Sequence, residues 1–208
     1  MNTPLILASS SAIRQSLLRN AGLAFETATP RVDEESVRAA LLAEGAKPRD
    51  IADALAELKA TKISARHPAA LVIGCDQVLD LGGTLLSKPE TVDEARAQLS
   101  AMRGKRHDLL SAVVICQAGR PLWRHIGTAR MTVRPFAAGL FALASVTDWL
   151  DGYLSRNWPD IAESVGAYKL EAEGVRLFSR VDGDYFTVLG LPLLDLLSFL
   201  TLRGDLQQ

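Results

Sequence analysis

The chain has 208 residues, of which 48% are hydrophobic and 23% are charged, with a formal net charge of −1 at pH 7. This length is enough for a sizeable core in one large domain or in two small lobes around a shared sheet, and we expect residues 1–208 to form a single domain. The near-neutral charge offers no basic field for nucleic acid or an acidic membrane, so we expect neither as a partner.

The two cysteines and the first residues bear on the compartment. Cys75 and Cys116 lie inside apolar runs, which is typical of buried thiols in a reducing compartment and not of a disulfide scaffold. The opening "MNTPLILASSSA" has no basic segment, and its apolar run is too short for a signal peptide or a membrane span. We therefore expect a cytoplasmic protein.

The first half of the chain alternates predicted strands and helices. "LILAS" predicts a strand, and "SSAIRQSLLRNAG" predicts a helix that ends at Gly22, a typical residue just after a helix. "DIADALAELKATKISA" predicts a second amphipathic helix. "ALVIGCDQVLDL" and "TLLSK", joined by Gly-Gly, predict a hairpin.

The second half contains further hairpins and helices. Thr91 and Glu94 form the pattern of a capping box, so a helix is predicted over "TVDEARAQLSAM". "DLLSAVVICQAGRPLWRHIGTARMTVRPF" predicts strand, turn and strand, and "TDWLDGYLS" a short helix. "GAYKLEAEGVRLFSRVDGDYFTVLGLP" is predicted to be rich in strands, and "LLDLLSFLTLR" to be a helix. The alternation predicts an α/β fold, and the hairpins make its sheet mixed.

The serine-rich junction after the first strand is a candidate anion site. A helix N-terminus offers free N–H groups and a positive dipole, and the hydroxyls of Ser9, Ser10 and Ser11 add donors. Arg14, in the first turn, adds a cation suited to phosphate. The alternative is that these serines only cap the helix.

Acids and lysines at the ends of other elements extend this candidate. "RVDEE", after a predicted strand, could instead be a solvated charge run, and Lys59 could be a lysine extending from an apolar face to water. Asp76, after an apolar strand, and Lys88, after the hairpin, could form a plain ion pair. Together they indicate a site for phosphate and Mg²⁺ or Mn²⁺. The residues are Asp33, Glu34, Glu35, Lys59, Asp76 and Lys88.

In this ordered set of motifs the chain resembles the Maf family of nucleoside triphosphate pyrophosphatases, over nearly its whole length. The family opening matches "LASSSAIR", followed by an acidic pair, a helix lysine, a strand-end aspartate, a Lys-Pro pair, a Gly-x-x-His motif and two closing motifs. The matching residues are Leu7, Ala8, Ser9, Ser11, Arg14, Asp33, Glu34, Lys59, Asp76, Lys88, Pro89, Gly104 and His107, with "GAYKLEAEG" and "GDYFTVLGLPL" closing the set.

The resemblance implies an elongated mixed β-sheet flanked by helices, with two lobes around a central cleft, often in a homodimer. It implies hydrolysis of a nucleoside triphosphate between the α- and β-phosphates to the monophosphate and pyrophosphate. Ser9, Ser11, Arg14, Lys59 and Lys88 would then hold phosphates. Glu34 and Asp76 would hold a divalent metal cation, and Asp76 would also orient the attacking water. Asp76, Lys59 and Lys88 are thus the predicted catalytic residues.

Two departures from the family pattern affect the predicted substrate. Ala12 and Ile13 replace the usual proline and first arginine, which removes one phosphate-binding cation. Gln77 after Asp76, together with Lys169 and Glu171, resembles the subgroup that prefers 7-methyl-GTP. The resemblance implies that these three residues bind the substrate. The open alternatives are a pyrophosphatase for dTTP and UTP, or a nucleotide-binding regulator of cell division with slow catalysis.

Lys169 and Glu171 are predicted to share one face of a strand and to contact the base. A carboxylate can accept both the N1–H and the 2-amino donors of guanine, and N7 methylation adds positive charge that favours it further. The alternative is a solvent-facing ion pair worth under about 1 kcal/mol.

Overall fold

A computed structural model of the chain describes residues 3–135 and 146–206. The described elements, in chain order, are β1 (Leu5–Ala8), α1 (Ala12–Asn20), β2 (Glu26–Thr27), α2 (Glu34–Ala43), α3 (Pro48–Ser64), β3 (Leu71–Leu81), β4 (Thr84–Leu86), α4 (Val92–Met102), β5 (Arg106–Gln117), β6 (Arg120–Val133), α5 (Val146–Asn157), β7 (Phe178–Asp182), α6 (Tyr185–Val188) and α7 (Leu193–Arg203). Two short 3₁₀ helices, Asp160–Glu163 and Glu173–Leu177, lie between α5 and β7.

The strands of the described residues form one seven-stranded mixed sheet. Its order is β2-β1-β3-β5-β6-β7, with β4 paired to β3. β1 runs parallel to β2 and β3, whereas the β3–β4 and β6–β7 pairs are antiparallel. The predicted α/β fold with a mixed sheet flanked by helices is confirmed. The elongated outline, the lobes and the cleft stay predictions.

The chain divides into two compact units. The first contains residues 1–77, 110–128 and 183–208, and the second contains residues 78–109 and 129–182. The core of the first unit combines the inward faces of β1, β3 and β5 with α1 and α7. Its buried members include Leu7, Leu18, Leu71, Ile73, Cys75, Val113, Ile115, Leu191, Leu196 and Leu200. Both cysteines are free and buried, as predicted.

Helix α3 packs unusually close to strand β3 within the first unit. A Cβ atom built on Gly74 would overlap the carbonyl oxygen of Ala56 and would lie 2.7 Å from the backbone nitrogen of Ala60. Only glycine allows this approach, because any side chain would meet the backbone of the helix. The spacing fixes the buried face of α3, which carries Leu55 and Lys59, against the strand.

The second unit contains a small buried aromatic cluster. The His107 ring nitrogen Nε2 lies 2.7 Å from the Tyr168 hydroxyl. Phe178 packs edge-on against Tyr168, with ring centroids 4.7 Å apart. Helix α5 contributes Tyr153, whose hydroxyl donates to the carbonyl oxygen of Ala167 at 3.3 Å. Because His107 is 1% exposed, burial lowers its pKa to about 4.

Two segments differ from the sequence prediction. "GAYKLEAEG" is not a strand but a turn that leads into the second 3₁₀ helix, and β7 begins only at Phe178. "GDYFTV" contains the short helix α6, for which Asp184 is the N-cap. Local hydrogen bonds of this kind outweighed the β-propensity of the aromatic residues.

Helix α2 was not predicted. Asp33 does not directly follow a strand, since β2 ends at Thr27. It is the N-cap of α2, where its carboxylate accepts from the backbone N–H of Ser36 at 3.1 Å, and Glu34 and Glu35 lie in the first turn. Among the described residues, no helix combines the length and apolar character that crossing a bilayer demands.

Candidate functional site

A partly buried cluster of one lysine and two carboxylates lies in the first unit. The Lys59 ammonium donates to Asp76 Oδ1 at 2.7 Å and to Glu34 Oε2 at 2.8 Å. Lys59 is 6% exposed and Asp76 4% exposed, whereas the Glu34 side chain is 41% exposed. The lysine therefore bridges one deeply buried carboxylate and one that faces solvent.

Three different elements bring these side chains together. Glu34 begins α2, Lys59 is on the buried face of α3, and Asp76 is in the middle of β3. The prediction that Asp76 ends a strand is therefore wrong, because β3 continues to Leu81. The neighbouring parallel strand β1 does end nearby, since its last residue, Ala8, pairs with Gly74. Asp76 thus lies just beyond the carboxyl end of β1, where open α/β sheets commonly bind ligands.

Burial dominates the electrostatics of Asp76. It raises the pKa of the carboxyl above its ordinary value, and the Lys59 ammonium and the Arg14 guanidinium oppose that rise. Cys75, the preceding residue, has its thiol pKa raised to about 11 by burial. A thiol with such a pKa is protonated at neutral pH, which excludes Cys75 as a nucleophile.

One of the serines after β1 caps helix α1, in agreement with the simpler interpretation of the sequence. Ser11 is the N-cap, and its hydroxyl accepts from the backbone N–H of Arg14 at 3.5 Å. Ser9, only 7% exposed, accepts from the backbone N–H of Ser11 at 3.2 Å. Both hydroxyls keep a free proton to donate, so capping does not exclude a role in anion binding. Ile13 packs against the core, so its position serves packing in this chain.

Arg14 and Gln77 contact backbone carbonyl groups. Arg14 Nε donates to the Gly190 oxygen at 2.8 Å, and one terminal nitrogen donates to the Cys75 oxygen at 3.3 Å. Gln77 Nε2 lies 2.9 Å from the Ser111 hydroxyl oxygen, 3.2 Å from the Thr187 oxygen and 3.0 Å from the Val188 oxygen. Ser111 was missed in the sequence, and Thr187 and Gly190 were noted only as part of the closing motif "GDYFTVLGLPL", without a role.

The other predicted contacts belong to the second unit. Lys88 is exposed and follows β4. Lys169 pairs with Asp160 at 2.5 Å and not with Glu171, which lies exposed in the turn before the 3₁₀ helix. The prediction that Lys169 and Glu171 share a strand face is therefore wrong, because that strand does not exist. Their roles, like that of Lys88, stay predictions.

The carboxylate oxygens of Asp76 and Glu34 are the type of ligand that a hard divalent cation prefers. Asp76 Oδ2 is buried and has no hydrogen-bond partner among the described residues, so one oxygen is left for a ligand. No group of three or more His, Cys, Asp or Glu side chains suited to a metal occurs in the described part of the chain. Two carboxylates completed by substrate oxygens are the arrangement that Mg²⁺ prefers.

Fold and site together define an α/β protein with a buried lysine–carboxylate centre beside a capped helix N-terminus, an arrangement suited to phosphorylated ligands. A family model described as "Maf-like protein" matches residues 4–202, and the chain belongs to this family.

The three similar proteins described below have one of two names, both of which describe a pyrophosphatase. "Nucleoside triphosphate pyrophosphatase" of Ruegeria pomeroyi is 59% identical over 98% of both chains, and that of Caulobacter vibrioides is 53% identical over 98% of both. "7-methyl-GTP pyrophosphatase" of Brucella suis is 46% identical over 95% of both chains.

Proposed function

We propose that this protein hydrolyses a nucleoside triphosphate between the α- and β-phosphates. Water adds to phosphorus as the bond to the bridging oxygen breaks, and the products are the nucleoside monophosphate and pyrophosphate. The observation that carries the proposal is the buried Asp76, bridged by Lys59 to Glu34, with one carboxylate oxygen unpaired. The names of the relatives support the same reaction.

The chemistry of each side chain indicates its proposed role in orienting water or in binding the phosphates. Asp76 Oδ2 can accept a hydrogen bond from water and so orient it for attack. Lys59 offers a fixed positive charge to the phosphates, and a buried charge stabilises a transition state more strongly than one in water. Ser9 and Ser11 supply donors at the N-terminus of α1, and Lys88 is proposed as a further phosphate contact.

Asp76 and Glu34 would hold Mg²⁺ or Mn²⁺, which when bound would offset charge on the leaving pyrophosphate. Without it, two carboxylates beside a triphosphate would repel the substrate. We further expect a homodimer, for which the family resemblance is the support, and a location in the cytoplasm, which the two buried free cysteines support.

Asp76→Asn tests the reaction. The change keeps the size of the side chain but removes a metal-binding and water-orienting oxygen, so turnover should fall about a thousandfold or more. Pyrophosphate release and the unfolding midpoint are measured together, and near-native turnover would make Asp76 a structural residue only. Glu34→Gln should raise the Mn²⁺ concentration needed for half-maximal activity, and full activity in excess chelator would exclude the metal.

For the base we propose guanine-type triphosphates, with 7-methyl-GTP preferred over dTTP and UTP. Glu171 is exposed and has no ion-pair partner among the described residues, so its carboxylate remains available to two adjacent donors. The name of the Brucella suis relative supports this preference. Because Lys169 is held by Asp160, Glu171 carries the proposal.

A comparison of kcat/KM for 7-methyl-GTP, GTP, UTP and dTTP tests the base preference. Glu171→Gln should shrink the preference, since a site built for specific polar contacts loses discrimination when they are mismatched. A wild type that prefers dTTP or UTP would refute the assignment. Pyrophosphate release from none of the four would favour the regulator of cell division.

A further inference from the structure

We propose that Arg14 and Gln77 are positioning residues that hold Asp76 in place by tying its strand to the turn at residues 187–190. The inference rests on the proposed function, because it assigns Asp76 a role in the reaction. It differs from the prediction made from sequence, in which both side chains contact the nucleotide.

The guanidinium of Arg14 uses two of its five N–H groups in hydrogen bonds to backbone carbonyl groups. Its Nε carries one hydrogen, which the Gly190 oxygen accepts at 2.8 Å, and a terminal nitrogen donates to the Cys75 oxygen at 3.3 Å. One of the two nitrogens of the side-on edge that forks around a phosphate is therefore already occupied. Gly190 fits this contact, because a Cβ there would lie 3.1 Å from Arg14 Nη2, and its φ of +90° is one that other residues rarely adopt.

The side-chain amide of Gln77 likewise makes hydrogen bonds within the protein. Its two N–H groups face three acceptors: the Ser111 hydroxyl oxygen and the carbonyl oxygens of Thr187 and Val188. This surrounding fixes the orientation of the amide, because the reversed form would point an oxygen at two carbonyl oxygens. Ser111 is fully buried and donates to the Thr187 oxygen at 2.7 Å, so its own proton is used and it accepts from Gln77.

The hydrogen bonds of Arg14 and Gln77 lie on either side of Asp76 along strand β3. Arg14 holds the peptide group of Cys75, immediately before Asp76, and Gln77 lies immediately after it. Both reach the same four residues, 187–190. The backbone of Asp76 is thus fixed on either side, while α3 holds Lys59. Because a displacement of about 1 Å can cost a hundredfold in rate, such support has a measurable catalytic effect.

Gln77→Met tests the inference, since methionine keeps the length of the side chain and loses both donors. We expect kcat to fall about 10- to 100-fold, while the Kd for an α,β-methylene triphosphate stays within twofold. Gln117→Met is the matched control, because Gln117 is also on a strand and makes one exposed bond, to Arg203. It should leave kcat unchanged. A Kd raised more than tenfold with kcat retained would make Gln77 a nucleotide contact and overturn the proposal.

Gly190→Ala provides an independent test of the Arg14 side. The new methyl group would press on the guanidinium, and alanine would strain the turn at a φ of +90°, so Gly190→Ala, like Arg14→Lys, should lower kcat. The double variant should lose little more than either single variant, because both break the same bond. Losses that multiply in the double variant would contradict the shared bond.

Hydrogen exchange distinguishes a failure of this inference from a failure of the proposed function. In Gln77→Met and Gly190→Ala, backbone amides of residues 71–81 and 183–192 should exchange faster together, whatever the substrate. Unchanged exchange in both segments would overturn the inference even if the wild type hydrolyses triphosphates. If both segments exchange faster in the variants but the wild type hydrolyses no triphosphate, the inference about Arg14 and Gln77 stands and the proposed function is refuted.

Discussion

Lys59→Met should destabilise the protein strongly, because it removes the counter-charge of a buried carboxylate. Asp76 is 4% exposed and its contact to Lys59 is 2.7 Å, so the variant leaves a charge that water does not reach. Breaking a buried pair of this kind costs about 3–5 kcal/mol. Glu34, whose side chain is 41% exposed, keeps much of its hydration and should add little.

Chemical unfolding of four proteins measures this cost: the wild type, Lys59→Met, Asp76→Asn and the double variant. The double variant should be more stable than the sum of the single losses implies, with a coupling energy of about 2–3 kcal/mol. Arg96→Met is the control, since Arg96 and Asp151 form a pair at 2.8 Å whose side chains are 46% and 41% exposed. It should lose under about 1 kcal/mol.

Mn²⁺ adds a second measurement to the same series. In Lys59→Met the two carboxylates no longer share an ammonium, so the cation should raise the unfolding midpoint of this variant more than that of the wild type. A loss below about 1 kcal/mol in Lys59→Met, equal to that of Arg96→Met, would refute the reasoning from burial.

Two further predictions concern packing and pH. Gly74→Ala should lower the unfolding free energy by about 3 kcal/mol or more, because its methyl group would meet the backbone of α3. The control Gly152→Ala should be neutral or stabilising, because its methyl group would meet only the end of the Arg156 side chain. Equal effects of the two variants in urea unfolding would contradict the close approach of α3 and β3. Burial lowers the pKa of His107 to about 4 in the folded protein, against an ordinary value of 6.5, so the unfolded chain binds a proton more readily. The stability that the neutral ring contributes is therefore complete above pH 6.5 and is lost as the pH falls towards 4, by at most about 3 kcal/mol. His107→Gln should flatten the dependence of the unfolding midpoint between pH 7.5 and 5, and an unchanged slope would exclude His107 as its source.

Local signals explain what the sequence predicted well. Helix α1 follows from Ser11 at its N-cap and Gly22 after its last turn, and φ at Gly22 is +78°. Thr91 caps α4 as predicted, although Glu94 accepts from the N–H of Glu90 and not from that of Thr91. In each case the deciding hydrogen bonds lie within a few residues, so the pattern is readable from a short window.

The errors arose where local signals conflict or where partners are distant. "KLEAEG" alternates in polarity as a strand does, yet the chain turns there, and a Cβ on Gly174 would overlap the carbonyl oxygen of Lys169. Helix α2 has no fully buried residue, so its apolar pattern is weak. Gln77 was singled out through the family resemblance, but its three acceptors lie 34 to 111 residues away and could not be inferred.

The contact between Arg14 and Gly190 spans 176 residues, and this separation sets the order in which the site can form during synthesis. Strand β1, helix α1 and helix α3 leave the ribosome before residues 187–190, so the last bonds that hold Asp76 must wait for this turn. A nascent chain that ends before this turn carries every predicted phosphate and metal contact without the support behind Asp76. The protein should therefore acquire activity in one step, as residues 187–190 dock, and not gradually as its motifs emerge.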